Sequence, residues 1–312
     1  MKILLMKMIA NMMSSINKNL IIILGPTAIG KTALAIKIAQ ELNTEILSSD
    51  SRQFYKELSI GTATPSLKEL EKIKHHFIQH ISVKEKYNIG KFEKEALLKI
   101  KDLFKNKDNI VMVGGSGLYI DAICKGIDKI PEIPLDIRQK INSEFEEKGL
   151  EWLQNKVQEI DPEYFQYVDK KNPQRLIRAV EIFTGTSKKL SSLHKKKNKK
   201  RDFNIIKIGV KMERDLLYNR INNRVDKMIE NGLIDEVKSL ISYRKYNALN
   251  TVGYKELFDY IDGVNNLENS ISMIKQNTRR LAKRQITWFK KDKEISWFNK
   301  NEFNSITTTI LK

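Results

Sequence analysis

The chain reads as an α/β protein, with a parallel sheet core flanked by helices and an all-helical domain inserted into it. Three observations carry this expectation. Short apolar runs each stop at a glycine-rich or polar turn, as buried parallel strands do when a ligand crevice lies at their carboxyl ends. Residues 25–32 read Gly-Pro-Thr-Ala-Ile-Gly-Lys-Thr, a complete G-x-x-x-x-G-K-[ST] phosphate-binding loop between an apolar run and a helical pattern. Residues 127–200 have helical periodicity and no strand, with strand-bearing sequence on both sides. Together these features define a P-loop NTPase-like core.

The elements follow in order. Leu20–Leu24 is the first strand. Gly25 and Gly30 let the backbone curl so that several N–H groups point inward, and the helix opening at residue 31 adds its positive end. Lys31 supplies a point charge, and the Thr32 hydroxyl is placed to hold Mg²⁺; a di- or triphosphate is the expected ligand. Glu45–Ser48 is a second strand ending in Ser49-Asp50-Ser51, and Asn109–Val113 a third ending in Gly114-Gly115-Ser116-Gly117. Pro131 and Pro134 open the helical insertion, and the Lys-rich stretch Lys188–Arg201 closes it as a basic connector. Phe203–Val210 is a further strand, and the remainder reads as largely helical. The domains are therefore 20–126 with 201–312 for the core and 127–200 for the insertion. Met1–Asn19, Met-rich with short apolar runs, is set outside the fold as a disordered extension.

Composition narrows the partner. With 56 Lys+Arg against 38 Asp+Glu, the net charge of +18 favours a polyanion, nucleic acid before an anionic membrane. No apolar run reaches transmembrane length. The single cysteine, Cys124, excludes an internal disulfide and a multi-cysteine zinc site; it reads as a core residue in a cytoplasmic protein. His75, His76 and His80 lack the cysteines or carboxylates that would complete a zinc set, so they are expected to pack or hydrogen-bond in the core.

Several side chains stand out as site candidates. Asp50, at a strand's carboxyl end near the phosphate loop, suits a metal supporter, a general base or a helix cap. The strand at 109–113 ends in glycines rather than the carboxylate that supports Mg²⁺ in ordinary ATP hydrolysis. Ser116 sits in that glycine-rich turn. Arg220 and Arg224, four apart, share a helix face. Asn172-Pro173 is a helix start, with Asn as cap, that displays Gln174, Arg175 and Arg178. Arg279, Arg280, Lys283 and Arg284 form a basic helix face suited to a phosphate backbone, followed by Trp288 and Phe289, which read as core.

The ordered set Gly25–Thr32, Asp50-Ser51-Arg52-Gln53, Gly61-Thr62-Ala63-Thr64-Pro65, Gly114-Gly115-Ser116-Gly117-Leu118-Tyr119, Gln174–Ala179, Gly253-Tyr254-Lys255-Glu256 and Lys283–Phe289 resembles the tRNA dimethylallyltransferase family. The resemblance implies transfer of a dimethylallyl group from its diphosphate to the N6 amine of an adenosine beside the tRNA anticodon. It implies that Gly25, Pro26, Thr27, Ala28, Ile29, Gly30, Lys31 and Thr32, with Arg224, cradle the leaving diphosphate, with Mg²⁺ at Thr32. It further implies that Asp50 is the base, with Ser116, where the family usually carries Thr, and Lys31 beside it as catalytic groups. Contacts to tRNA would come from Asp50, Ser51, Arg52, Gln53, Ser116, Arg138, Gln174, Arg175, Leu176, Ile177 and Arg178. The expected partners are the tRNA anticodon arm and dimethylallyl diphosphate, bound by a monomer. The rival readings are transfer to free AMP or ADP, a P-loop small-molecule kinase, and a non-catalytic RNA-binding protein.

Overall fold

The structure is a computed structural model and describes residues 18–194 and 198–311. The expected disorder of residues 1–17, and Lys195, Lys196 and Lys197 of the basic connector, lie outside the described residues. Two compact units are present: Lys125–Lys199 forms one, and the chain up to Cys124 with the chain from Lys200 forms the other.

The larger unit is built on a six-stranded sheet in which every pairing is parallel, in the order β3-β2-β4-β1-β5-β6. The strands are β1 (Asn19–Leu24), β2 (Ile46–Ser48), β3 (His75–His76), β4 (Asn109–Gly114), β5 (Asn204–Lys211) and β6 (Ile295–Asn299). The first five are linked or flanked by α1 (Lys31–Glu41), α2 (Leu67–Lys72), α3 (Ile89–Leu103) and α4 (Gly117–Lys125). The later helices are α9 (Arg214–Glu230), α10 (Leu233–Ser239), α11 (Tyr254–Ile261), α12 (Leu267–Phe289) and α13 (Phe303–Leu311).

Asn19 belongs to β1 and not to an extension. Its N–H donates to Asp108 O at 2.8 Å, and its amide joins Asn109 and Asn204, its register neighbours on the two flanking strands, at 3.0 and 3.1 Å. Strands β3 and β6 also exceed the sequence reading. Two residues are too short a run to show a period, and Ile-Ser-Trp-Phe-Asn is a half-exposed edge strand rather than a buried apolar run.

Residues Leu20 to Leu24 are apolar without interruption because helices cover both faces of the central strand. Leu20, Ile22 and Leu24 enter one core and Ile21 and Ile23 the other, as a period of two requires. The register sets Leu24 beside Gly114 and Gly209, so the turns after β1, β4 and β5 leave from one edge of the sheet.

Two buried cations tie the frame together. Lys207 of β5, 6% exposed, reaches Asp292 at 2.8 Å and Glu294 at 2.6 Å, which holds its ammonium above the usual lysine range. Arg201 is not part of an exposed connector. It pairs with Glu93 of α3 at 3.0 Å and donates to the carbonyls of Ala122 and Ile123 at the end of α4. Cys124 is buried as expected.

The second unit contains α5 (Leu135–Ile160), α6 (Pro162–Tyr167), α7 (Pro173–Thr186) and α8 (Leu190–Leu193), with no strand among its described residues. Helix α5 is broken at Gly149, whose φ of 76° lies in the left-handed region. Ile141, Leu153, Val157, Leu176, Ile177 and Val180 pack its core. Buried Asp161 accepts from Tyr164 N, Ser191 N and Ser191 Oγ, so the loops around α6 and α8 share one carboxylate. Asn172 stands at the cap position of α7 as expected, but its side chain makes no cap bond.

Replacing Arg201 by Ala removes the guanidinium from the Glu93 carboxylate and from the last carbonyls of α4. The expected loss is about 3–5 kcal/mol in urea unfolding, the usual cost of removing one partner of a buried pair.

Candidate active site

The phosphate loop starts where β1 ends. Gly25 has φ 147°, and a Cβ there would lie 2.8 Å from Val210 O of the neighbouring strand, so only glycine passes. Ala28 at φ 63° and Gly30 at φ 100° complete the curl, and Gly30 leads directly into α1. The resulting concavity of backbone N–H groups at a helix start is an anion site.

Three cations converge on it. Lys31 Nζ rests 2.7 Å from Pro26 O. Arg220 Nε donates to Ala28 O at 2.9 Å, and Arg224 Nη1 to Thr27 Oγ1 at 3.4 Å. Desolvation pulls the Lys31 ammonium down to about 8; Asp50 offsets this and Arg224 adds to it. Desolvation, reinforced by Arg220 and opposed by Asp50, also lowers Arg224. Charge is thus held in a place that disfavours it until an anion arrives. Sequence reasoning preferred Arg224 over Arg220; the structure sets both on the loop.

On the other side lies the turn after β2. Asp50 Oδ1 accepts the Arg52 N–H at 3.0 Å, while Asp50 N donates to Ser48 Oγ. Ser116 stands at the start of α4, but its side chain turns to the neighbouring loop. Its hydroxyl accepts from Ser51 N at 3.1 Å and donates to Ser51 Oγ at 3.2 Å, tying the turn after β4 to the turn after β2.

Arg52 and Gln53, expected at the tRNA, spend their polar groups inside the protein. Arg52 donates to the carbonyls of Asn247, Ala248 and Asn250, and Gln53 to those of Thr62 and Ala63. Both bonds brace loops around a cavity of about 590 Å³ that Thr27, Asp50, Ser116, Arg224 and Gln285 line together. A second cavity of about 510 Å³ continues past Ala63, Arg224 and Met228, which line both, to Ala28 and Arg220.

Two further residues organise this region. Glu236 of α10 accepts the N–H groups of Ser59, Ile60 and Gly61 at 3.1, 2.7 and 3.0 Å, and the Tyr254 hydroxyl at 2.6 Å. Gln285 of α12 accepts from Thr27 N at 2.8 Å and donates to Gly115 O at 2.9 Å. Glu236 carries no motif of its own, although its partners fall in or beside the blocks Gly61–Pro65 and Gly253–Glu256; Gln285 falls inside the block Lys283–Phe289, which carried no role for it.

Leu176 and Ile177 are 0% and 1% exposed, so their side chains are core and cannot reach tRNA; helical period places them on the inner face of α7. Gln174 and Arg175 of the same helix are exposed. Arg138 and Arg178 flank one buried carboxylate, Glu181, at 3.0 and 3.1 Å. Arg280, Lys283 and Arg284 are exposed, whereas Arg279 reaches Asn222 of α9 at 2.7 Å. Phe289 is core, but Trp288 is 38% exposed, with its indole N–H on Asp121. His75 hydrogen-bonds Ile73 O, His76 pairs with Glu45, and His80 packs among Phe54, Phe77 and Tyr87. Among the described residues no group of three His, Cys, Asp or Glu side chains could hold a metal ion, and no helix is long and apolar enough to cross a membrane.

A P-loop α/β core whose phosphate loop and acid-bearing turn open on one cavity defines a class of group-transfer enzymes. The model of the IPP transferase family matches residues 53–292. The chain is 54% identical to the tRNA dimethylallyltransferase of Christiangramia forsetii over 93% of this chain and 98% of that one, and 47% identical to that of Cytophaga hutchinsonii over 96% and 98%. Among solved structures, the full-length tRNA isopentenylpyrophosphate transferase of Bacillus halodurans is 34% identical, with a TM-score of 0.69 over 94% of this chain and 96% of that one. A eukaryotic dimethylallyltransferase captured acting on tRNA is 27% identical, with a TM-score of 0.76 over 94% and 76%. This chain belongs to the tRNA dimethylallyltransferase family.

The lowered Lys31 sets a pH dependence. A bound polyanion favours the ammonium, which the free loop gives up as pH rises through about 8, so affinity for diphosphate, taken relative to a Lys31→Arg chain that shares the ligand's own titration, should be flat below that pH and weaken above it. Calorimetric titration of inorganic diphosphate between neutral and alkaline pH should show affinity falling by up to about tenfold per pH unit relative to that of Lys31→Arg.

Proposed function

We propose that this chain transfers a dimethylallyl group from dimethylallyl diphosphate to the N6 amine of the adenosine immediately 3′ of the tRNA anticodon, releasing diphosphate. The observation that carries the reading is the shared cavity, whose lining brings Thr27 of the phosphate loop and the cationic Arg224 together with Asp50 and Ser116. A donor diphosphate and an acceptor base would meet there from opposite sides.

An exocyclic adenine amine is a poor nucleophile because its lone pair is delocalised into the ring. As the new N–C bond forms, the amine must lose a proton; Asp50, ordered by the Arg52 N–H and facing the cavity, accepts it. The allylic C–O bond breaks, and its electron pair leaves with the diphosphate oxygen. Lys31, Arg220, Arg224 and the loop N–H groups surround the charge that grows there. Ser116 holds the turn next to Asp50 and offers its hydroxyl to the acceptor. The adenosine must leave its stack to enter, as chemistry on a base requires.

The donor set fits Mg²⁺. Thr32 sets a hydroxyl in the first turn of α1, directly after Gly30 and Lys31 of the phosphate loop, and Mg²⁺ binds through one or two protein oxygens, substrate phosphates and water rather than an all-protein cage. Held by Thr32 and the diphosphate, the ion would neutralise leaving-group charge. In the helical unit, exposed Gln174 and Arg175, with Arg138 and Arg178 oriented by Glu181, are suited to grip the anticodon arm. The exposed face of Arg280, Lys283 and Arg284 suits its backbone. We place the enzyme in the cytoplasm as a monomer.

Incubation with labelled dimethylallyl diphosphate or ATP, each with tRNA or AMP as acceptor, tests the reading. Label should pass from dimethylallyl diphosphate to tRNA; prenyl transfer to AMP alone, or phosphate transfer from ATP, would overturn it. Asp50→Asn should slow transfer by about 10²- to 10⁴-fold with tRNA affinity retained in a filter-binding assay, and near-normal turnover in that variant would remove Asp50 as the base.

A further inference from the structure

Gln285 makes an unusual pair of bonds. Its carboxamide oxygen accepts the N–H of Thr27, in the phosphate loop after β1, and its NH₂ donates to the carbonyl of Gly115, in the turn after β4. Opposite ends of one amide therefore hold two loops from two strands. The orientation is unambiguous, since a flipped amide would set donor against donor at Thr27 and acceptor against acceptor at Gly115.

The space around the amide is equally specific. A Cβ on Gly115 would fall 2.4 Å from Gln285 Nε2 and 3.4 Å from Gly25 O, so the absence of a side chain there is what admits the amide. Each of the held loops carries half of the chemistry. Thr27 is the residue whose hydroxyl receives Arg224. Gly115 precedes Ser116, which binds the Asp50–Ser51 turn. Helix α12 is itself anchored to α9, the helix of Arg220 and Arg224, through Arg279 and Asn222. An ordinary packing bond would fasten the helix to one loop; this one fixes a distance between two.

We propose that Gln285 is a positioning residue for the transfer reaction, setting the register between the loop that holds the donor's diphosphate and the turn that presents the acceptor's base. The role rests on the transfer reading above. Its second consequence is that the Thr27 N–H is spent on Gln285, so the cradle offers the diphosphate its remaining N–H groups. Without the amide, donor and acceptor each still bind their own loop, while the separation between reacting carbon and nitrogen is no longer held. Misplacement by about 1 Å costs on the order of 100-fold in rate.

The test separates binding from the chemical step. Gln285→Met keeps length and bulk but neither hydrogen bond; Gln285→Glu keeps the acceptor for Thr27 and sets a carboxylate against Gly115 O. Single-turnover transfer at saturating dimethylallyl diphosphate and tRNA should fall about 100-fold in both. Dissociation constants for inorganic diphosphate and for tRNA should stay within about threefold of wild type, because each ligand keeps its own loop. Gln285→Met transferring at the wild-type rate would overturn the role, as would a loss confined to ligand affinity. A lowered melting temperature with a normal single-turnover rate in the folded protein would assign Gln285 to packing alone. Should Gln285→Met fail to fold, Gln285→Asn, which keeps both groups but is one methylene too short to span them, gives the same readout. A wild-type chain that moves no prenyl group to tRNA overturns the transfer reading itself, a result distinguishable from wild-type transfer that Gln285→Met leaves intact.

Discussion

The turns after β1, β2 and β4 approach one another more closely than side chains permit, and the rest of the site depends on that approach. The three strands are neighbours and parallel, so their carboxyl ends share one edge of the sheet. At that edge a Cβ on Gly114 would lie 2.1 Å from Ser49 Oγ and 2.8 Å from the Ser49 carbonyl carbon, and one on Gly115 3.4 Å from Gly25 O. Opening the contact for a methyl group would move backbone, at a cost of about 1–3 kcal/mol. It would also separate the phosphate loop from the acid-bearing turn. The missing carboxylate after β4, the Ser116–Ser51 link and the Gln285 bridge follow from the same crowding, since a larger residue at any of these glycines would take their space.

Cations in this chain fall into two kinds. Arg201, Lys207 and Arg244 face carboxylates of the protein itself and serve the fold. Lys31, Arg220 and Arg224 meet carbonyls and a hydroxyl of the phosphate loop, and Asp50 partly offsets the charge of Lys31 and Arg224. Desolvated positive charge without a local counter-ion is costly, and a ligand of multiple negative charge relieves it. The overall charge of +18 acts at longer range, drawing in a nucleic acid that these three groups do not themselves contact first.

The phosphate loop, the central strands and the helical insertion were legible because each is a local pattern: an invariant spacing, an unbroken apolar run, a 3.6-residue period. The edge strands were not. His75–His76 is held by pairing with β2, and Ile295–Asn299 by pairing with β5, so neither announces itself in a short window. Arg201 sits in a lysine-rich stretch, and only the fold reveals that Glu93 waits 108 positions away. Side chains that act across the fold, Glu236 and Gln285 above all, are invisible to periodicity because their partners lie far off in sequence. Leu176 and Ile177 show the reverse case: they share a sequence block with Gln174 and Arg175, but a helix exposes only part of any such block and buries these two.

The Glu236 clamp has a counterpart in the phosphate loop. Successive backbone N–H groups at Ser59, Ile60 and Gly61 converge on one carboxylate, as the loop at 25–32 converges on a foreign anion. The chain thus carries two backbone nests near one cavity, one plugged by its own glutamate and one left open. An added anion finds one nest open and the other already filled by a carboxylate that also accepts the Tyr254 hydroxyl. The loop at residues 59–61 is therefore held by the protein's own charge, whereas the cradle at 25–32 takes its charge from a ligand.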